Sequence, residues 1–162
     1  MREEHGTSSE QETLALARTF AGRLQRGDVV ALQGELGTGK TVFVKGICET
    51  FGARQHVSSP SFIILNRYEG MDESNRELLI YHLDLYRVTS RDEIFDLGYE
   101  EFFYGDGITL VEWAEQLGDL LPPKRYDVHL SYAESDSHRR ITIESFRAPV
   151  VPAISEQRMG TQ

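Results

Sequence analysis

Leu14, Ala17, Phe20, Ala21 and Leu24 recur at helical spacing, behind a Ser9-Glu10-Gln11-Glu12 stretch with the S-x-x-E spacing of a capping box. The pattern predicts an amphipathic helix from residue 9 to about Gln25, ended by Gly27-Asp28. Asp28-Val29-Val30-Ala31-Leu32-Gln33 is an apolar run without alternation, the mark of a strand covered on both faces. Residues 40–51 carry no proline and read as a helix stopped by Gly52. Beyond a loop, residues 62–68 and 78–84 are rich in strand formers, with a polar turn over 70–76 between them. A connection that short admits a hairpin but no crossover. These two strands are therefore expected to be antiparallel, within a mixed sheet.

Ser90 to Glu93 repeats the S-x-x-E spacing and opens a short helix through Leu97, and a second short helix covers 99–103. Gly107-Ile108-Thr109-Leu110-Val111-Glu112 is another buried-type strand, closed by an acid. A helix is expected over 113–120, stopped by Leu121-Pro122-Pro123. Residues 128–132 and 140–144 both alternate around Ser135-Asp136-Ser137, which predicts an edge hairpin. Residues 1–8 are polar and 148–162 lack periodicity, so both are expected to be mobile ends of a single domain spanning 9–147.

Between the first strand-like run and the helix after it lies Gly34-Glu35-Leu36-Gly37-Thr38-Gly39-Lys40-Thr41, which fits G-x-x-x-x-G-K-[ST]. Strand, glycine-rich loop and helix stand in the order that phosphate binding requires. Glycines let main-chain N–H groups curl around anionic oxygens, and the positive end of the helix dipole faces the same oxygens. Lys40 is the candidate to neutralise the β- and γ-phosphates, and the Thr41 hydroxyl the candidate Mg2+ ligand. The resulting expectation is an α/β chain with a P-loop NTPase-like three-layer α/β/α sandwich and a mixed central sheet.

With 162 residues, 40% of them hydrophobic, the chain can bury one core. No apolar run approaches the ~20 residues of a membrane span, and the first residues lack an apolar signal-like stretch, so cytoplasm is the expected setting. Cys48 is the only cysteine, which excludes an internal disulfide and suits a reducing compartment; it reads as a packing residue. The formal net charge of -9 argues against a protein that grips RNA or DNA chiefly through phosphates, and suits a basic protein partner instead. The histidines are scattered without metal-ligand spacing, so a zinc site is not expected.

Two acids close apolar strands and could complete a magnesium site: Asp84 and Glu112. Glu112 follows the cleaner run, which resembles a Walker B strand with Glu in place of Asp. Ser58, Ser59 and Ser61 lie in a loop that should cross near the phosphates, although a Ser-Pro turn opening a strand explains them equally well. His82 shares a strand face with Asp84, where a packed, hydrogen-bonded imidazole is the commoner role. Trp113 could stack on a base or partner, or serve the core.

With these features placed, the chain resembles the TsaE family of small bacterial ATPases. The resemblance covers about residues 9–133 and rests on the P-loop, Ser59-Pro60-Ser61-Phe62, His82-Leu83-Asp84-Leu85-Tyr86-Arg87, the stretch from Glu93 to Gly98, and Val111-Glu112-Trp113. It implies binding of ATP and Mg2+, slow hydrolysis alone, and action with TsaD–TsaB proteins in threonylcarbamoylation of adenosine 37 in tRNAs reading ANN codons. ATP contacts would then fall on Leu36, Gly37, Thr38, Gly39, Lys40 and Thr41, and on Glu10 at the entry to the first helix. Mg2+ would fall to Thr41 and Glu112, and the catalytic residues would be Lys40, Asp84 and Glu112, with Asp84 acting through a water. Ser61 stands where the family usually has Thr, and keeps the hydroxyl for a switch contact. No direct clasp on tRNA, no DNA and no membrane partner are expected. The residues alone also admit a small-molecule P-loop kinase, for which no lid-like insertion is obvious, or a GTP switch, for which the guanine-reading N-K-x-D stretch is missing.

Overall fold

A computed structural model describes residues 1–58 and 64–147. Seven strands and four helices follow in chain order: β1 (Arg2–Thr7), α1 (Glu10–Ala21), β2 (Val29–Gln33), α2 (Lys40–Thr50), β3 (Leu65–Met71), β4 (Glu77–Asp84), α3 (Arg91–Leu97), α4 (Tyr99–Phe103), β5 (Ile108–Glu112), β6 (Arg125–Tyr132) and β7 (Arg139–Phe146). The strands form one sheet in the order β1-β7-β6-β2-β5-β4-β3. The central four, β6, β2, β5 and β4, pair in parallel, while β3–β4, β6–β7 and β1–β7 are antiparallel. The sheet is mixed, with the parallel strands in the middle.

Alternation along the central strands feeds two cores. Val30 and Leu32 of β2, with Ile108 and Leu110 of β5, pack under Phe20 of α1 and Phe43, Val44 and Ile47 of α2. Val29, Ala31 and Val111 face the other way, onto Ile94 of α3, Phe103 of α4, and Ala114 and Leu117 beyond β5. Each fully buried aliphatic or aromatic chain contributes about 1.5–3 kcal/mol, and β2, buried on both faces, serves both layers. The expected three-layer arrangement is what this burial produces. Cys48 lies in the first core, where burial pushes its thiol up to about 12.

Several local expectations are corrected. Residues 1–8 are not a loose lead: Arg2–Thr7 forms β1, paired along its length with β7. Its polarity fits an edge strand pinned by charge, with Glu3 bridging Arg23 and Glu4 bridging Arg140. The β6–β7 hairpin is consequently interior, with β2 on one side and β1 on the other. Helix α1 stops at Ala21 because Gly22 caps it, short of Gln25. Ser9 accepts the Glu12 N–H at 3.1 Å as predicted, while the Glu12 carboxylate returns to the Ser8 N–H. At α3 the Ser90 side chain makes no cap, and Glu93 instead accepts the Thr89 N–H. The first of the two predicted hairpin strands reaches Met71, because the Asp72 carboxylate builds the turn by accepting the Ser74 and Arg76 N–H groups. In place of one helix over 113–120 there are two 3-10 turns, Ala114–Gln116 and Gly118–Leu120, after Trp113 at φ 57°. Ser61 and the segment 148–162 lie outside the described residues. Among the described residues, no helix is long and apolar enough to cross a membrane.

Candidate functional site

The loop from Gly34 to Gly39 joins the carboxyl end of β2 to the amino end of α2. Gly34, Gly37 and Gly39 hold φ values of 145°, 80° and 106°, left-handed geometry that side chains resist. A Cβ on Gly37 would lie 2.7 Å from the Tyr132 hydroxyl. Gly39 gives α2 no side-chain cap, which leaves the first-turn amides to whatever anion approaches. Lys40 is nearly buried, and its Nζ donates to the carbonyls of Gly34 and Glu35 at 2.6 and 2.8 Å. Burial moves its pKa down, against the opposing pull of Glu112, Glu115 and Asp84. The same ammonium stands 4.1 Å from the centroid of the Trp113 ring.

Register delivers the acids. Asp84 pairs opposite Glu112 across β4 and β5, and Glu112 pairs opposite Leu32 at the end of β2. Both acids thus reach the rim from which the glycine loop springs. Thr41 Oγ1 donates to Glu112 Oε1 at 2.9 Å. The other oxygen of Glu112 lies 2.5 Å from Nε2 of the fully buried His82, whose Nδ1 faces the Tyr68 hydroxyl at 3.1 Å. With Nε2–H donating to the carboxylate, this chain fixes the rotamer of Glu112 from the third strand inward. Asp84 accepts the Tyr86 N–H at 3.0 Å. A cavity of about 310 Å3 is lined by Glu10, Leu36, Gly37, Gly39, Lys40, Thr41, Asp84 and Glu112, with Tyr86 and Trp113 at its side. The structure therefore brings these eight candidates together, whereas Thr38 lines an adjoining cavity of about 170 Å3 with Ser9, Glu10, Thr13, Ser137 and Arg139, and Ser58 lines neither.

Donor chemistry fits a nucleotide polyphosphate with magnesium. A hydroxyl and a carboxylate are hard oxygen donors, and two such groups suit a cation that keeps phosphate and water for its remaining positions. No cage of three or more His, Cys, Asp or Glu side chains exists among the described residues. Within that same set no buried side-chain nitrogen or oxygen lacks a partner. A larger cavity of about 760 Å3 opens elsewhere, beside Asp28, Lys124 and Arg125. Three of its cations already face acids, Arg23 on Glu3, Lys124 on Asp28 and Arg125 on Asp127, and it has no glycine loop or helix start. The candidate site is therefore the cavity at the glycine loop.

Trp113 serves neither of its simple alternatives alone: half-buried, it packs on the second core while its ring stacks 4.9 Å from that of Tyr86 and lies against Lys40. Sequence reasoning missed Tyr68, Tyr132 and Arg139. Tyr68 could have been suspected from the strand-face pattern. Tyr132 and Arg139 carry no such signal, because both bind main-chain carbonyls of the loop.

A family model described as threonylcarbamoyl adenosine biosynthesis protein TsaE matches residues 7–141. A tRNA threonylcarbamoyladenosine biosynthesis protein TsaE of Bacillus subtilis is 40% identical over 136 residues, 84% of this chain and 81% of that protein. The protein of the same name from Treponema pallidum is 36% identical over 135 residues, 83% and 95% of the two chains. The crystal structure of Bacillus subtilis YdiB superposes with a TM-score of 0.75 at 34% identity, covering 91% of this chain and 87% of that one. On the family match and these identities, the chain belongs to the TsaE family.

Proposed function

We propose that the protein is an ATP-hydrolysing accessory factor in the threonylcarbamoylation of tRNA, working beside a TsaD–TsaB-type transferase on adenosine 37 of tRNAs that read ANN codons. One observation carries the reading: the Thr41 hydroxyl and the Glu112 carboxylate meet at 2.9 Å at the mouth of a glycine loop. That juxtaposition needs a hydroxyl in the first turn of α2 and a strand-end acid from opposite halves of the chain, and P-loop phosphate chemistry uses such a pair. The names of the relatives support this role over a small-molecule kinase.

Magnesium, when bound, would supply charge neutralisation at the phosphate oxygens, held by Thr41 and Glu112. The chain's own residues do the rest. Amides of Gly37, Gly39, Lys40 and Thr41 bind the phosphates, and the Lys40 ammonium offsets charge on the β/γ oxygens. His82 keeps the Glu112 carboxylate aimed at Thr41. Asp84, on the cavity wall, orients the water that attacks phosphorus as the bond to the ADP oxygen breaks. Glu10, at the start of α1, lines both cavities, which supports a contact with the nucleotide there. The acidic balance suits docking on a protein partner, with tRNA reached only through the transferase and with no role for DNA or membrane. The proposed setting is the cytoplasm.

A modification assay with purified tRNA and the transferase proteins tests this. Wild type should sustain repeated cycles, whereas Lys40→Ala and Glu112→Ala should stall. Equal modification by all three would refute the assignment.

A further inference from the structure

The turn between β6 and β7 leans on the phosphate loop through main-chain carbonyls. Tyr132 donates its hydroxyl to Leu36 O at 2.9 Å, while Arg139 Nε donates to Thr38 O at 3.1 Å and Nη2 to Gly37 O at 3.2 Å. The guanidinium carbon lies 4.4 Å from the Tyr132 ring centroid, so each side chain holds the other in place. Nη1 of Arg139 donates back to the carbonyls of Asp136 and His138, which ties the guanidinium to its own hairpin. Three consecutive loop carbonyls thus receive donors from one hairpin.

A trans peptide sets each N–H opposite the carbonyl before it. Holding the carbonyls of Leu36 and Thr38 therefore turns the N–H groups of Gly37 and Gly39 away from the hairpin. Both glycines line the cavity that contains Lys40, Thr41 and Glu112. The N–H of Thr38 between them is used inside the loop, on Glu35 O. Glycines at φ 80° and 106° could flip their peptide planes at small cost, so the loop's own sequence does not fix these amides.

We propose that Tyr132 and Arg139 are positioning residues that preset the Gly37 and Gly39 amides for a phosphate-bearing ligand; this rests on the nucleotide reading of the site. Tyr132 lines neither cavity and brings no charge, so its effect runs through the loop alone, whereas Arg139 also lines the adjoining cavity.

The test uses the full chain with ADP as probe and no metal, comparing wild type with Tyr132→Phe, Arg139→Met and Arg139→Lys. Tyr132→Phe should weaken ADP binding by roughly threefold to tenfold, the span of one net hydrogen bond, and Arg139→Met by more. Amide hydrogen exchange at Gly37 and Gly39 should quicken in both, with the thermal midpoint little changed. Arg139→Lys should resemble Arg139→Met, because one ammonium cannot fork to two carbonyls and stack. Unchanged ADP affinity, full rescue by lysine, or a loss that only follows a fallen midpoint with the two amides undisturbed would each overturn the proposal. A wild type that binds no ADP would remove the nucleotide reading itself, and this inference with it.

Discussion

The two flanks of the glycine loop are built by opposite means. On the β5 side, side chains meet side chains: Thr41 on Glu112, Glu112 on His82, His82 on Tyr68. On the β6–β7 side, side chains meet main chain, Tyr132 and Arg139 on the carbonyls of residues 36–38. The first flank is buried and acidic and presents groups that can hold a metal. The second is partly exposed and shapes the loop without offering it any chemistry. On the proposed function, one wall would react and the other would hold, and substitutions on the two walls should fail differently.

The largest effect belongs to the cation between the two walls. Lys40→Ala should lower ATP affinity on the order of a hundredfold or more, comparable to removing a preorganised donor from a dry site; titration of the variant with an ATP analogue reads it. On the reacting wall, Glu112→Gln should cut magnesium-dependent ATP hydrolysis about a hundredfold while ADP binding without metal stays near wild type. Equal losses in both would mean that Glu112 supports the fold and not the metal. One step behind it, His82→Leu should raise the magnesium concentration at half-saturation roughly tenfold to a hundredfold, the usual cost of losing a partner behind a metal ligand. Tyr68→Phe should do the same more weakly.

The smallest effect lies at the outer edge of the holding wall. Arg23, then His5, hold the Glu3 carboxyl of β1 at about 2 against an ordinary 4.5. Because the folded value is depressed, the contribution is present above the unfolded pKa and is lost as pH falls from about 4.5 towards 2. Glu3→Gln should therefore narrow the stability difference between pH 6 and pH 3 in urea unfolding. The pair is partly exposed, so the change should be slight and should shrink in salt.

The same division explains what the sequence could reveal. The meeting of Lys40, Thr41 and Glu112 was legible because the motif sets residue types at fixed places: a cation and a hydroxyl after a glycine loop, an acid closing an apolar strand. Asp84 was legible for the same reason, and its meeting with Glu112 follows once β4 and β5 pair in register. His82 was visible only as a residue on the face of Asp84, since nothing in the chain states which strand lies alongside. Tyr132 and Arg139 were invisible because every residue has a carbonyl, and the carbonyls they bind lie 96 to 102 positions away. β1 escaped notice because an edge strand with one side in solvent needs no apolar period. The β6–β7 hairpin was found but misplaced, as alternation marks a strand without telling whether another covers it.

The most direct test is a crystal structure with a non-hydrolysable ATP analogue and magnesium. The account predicts phosphates against the amides of Gly37 to Thr41 and a metal between Thr41 Oγ1 and the Glu112 carboxylate. An analogue bound elsewhere, or a metal with Glu112 still turned wholly to His82 and away from it, would contradict it.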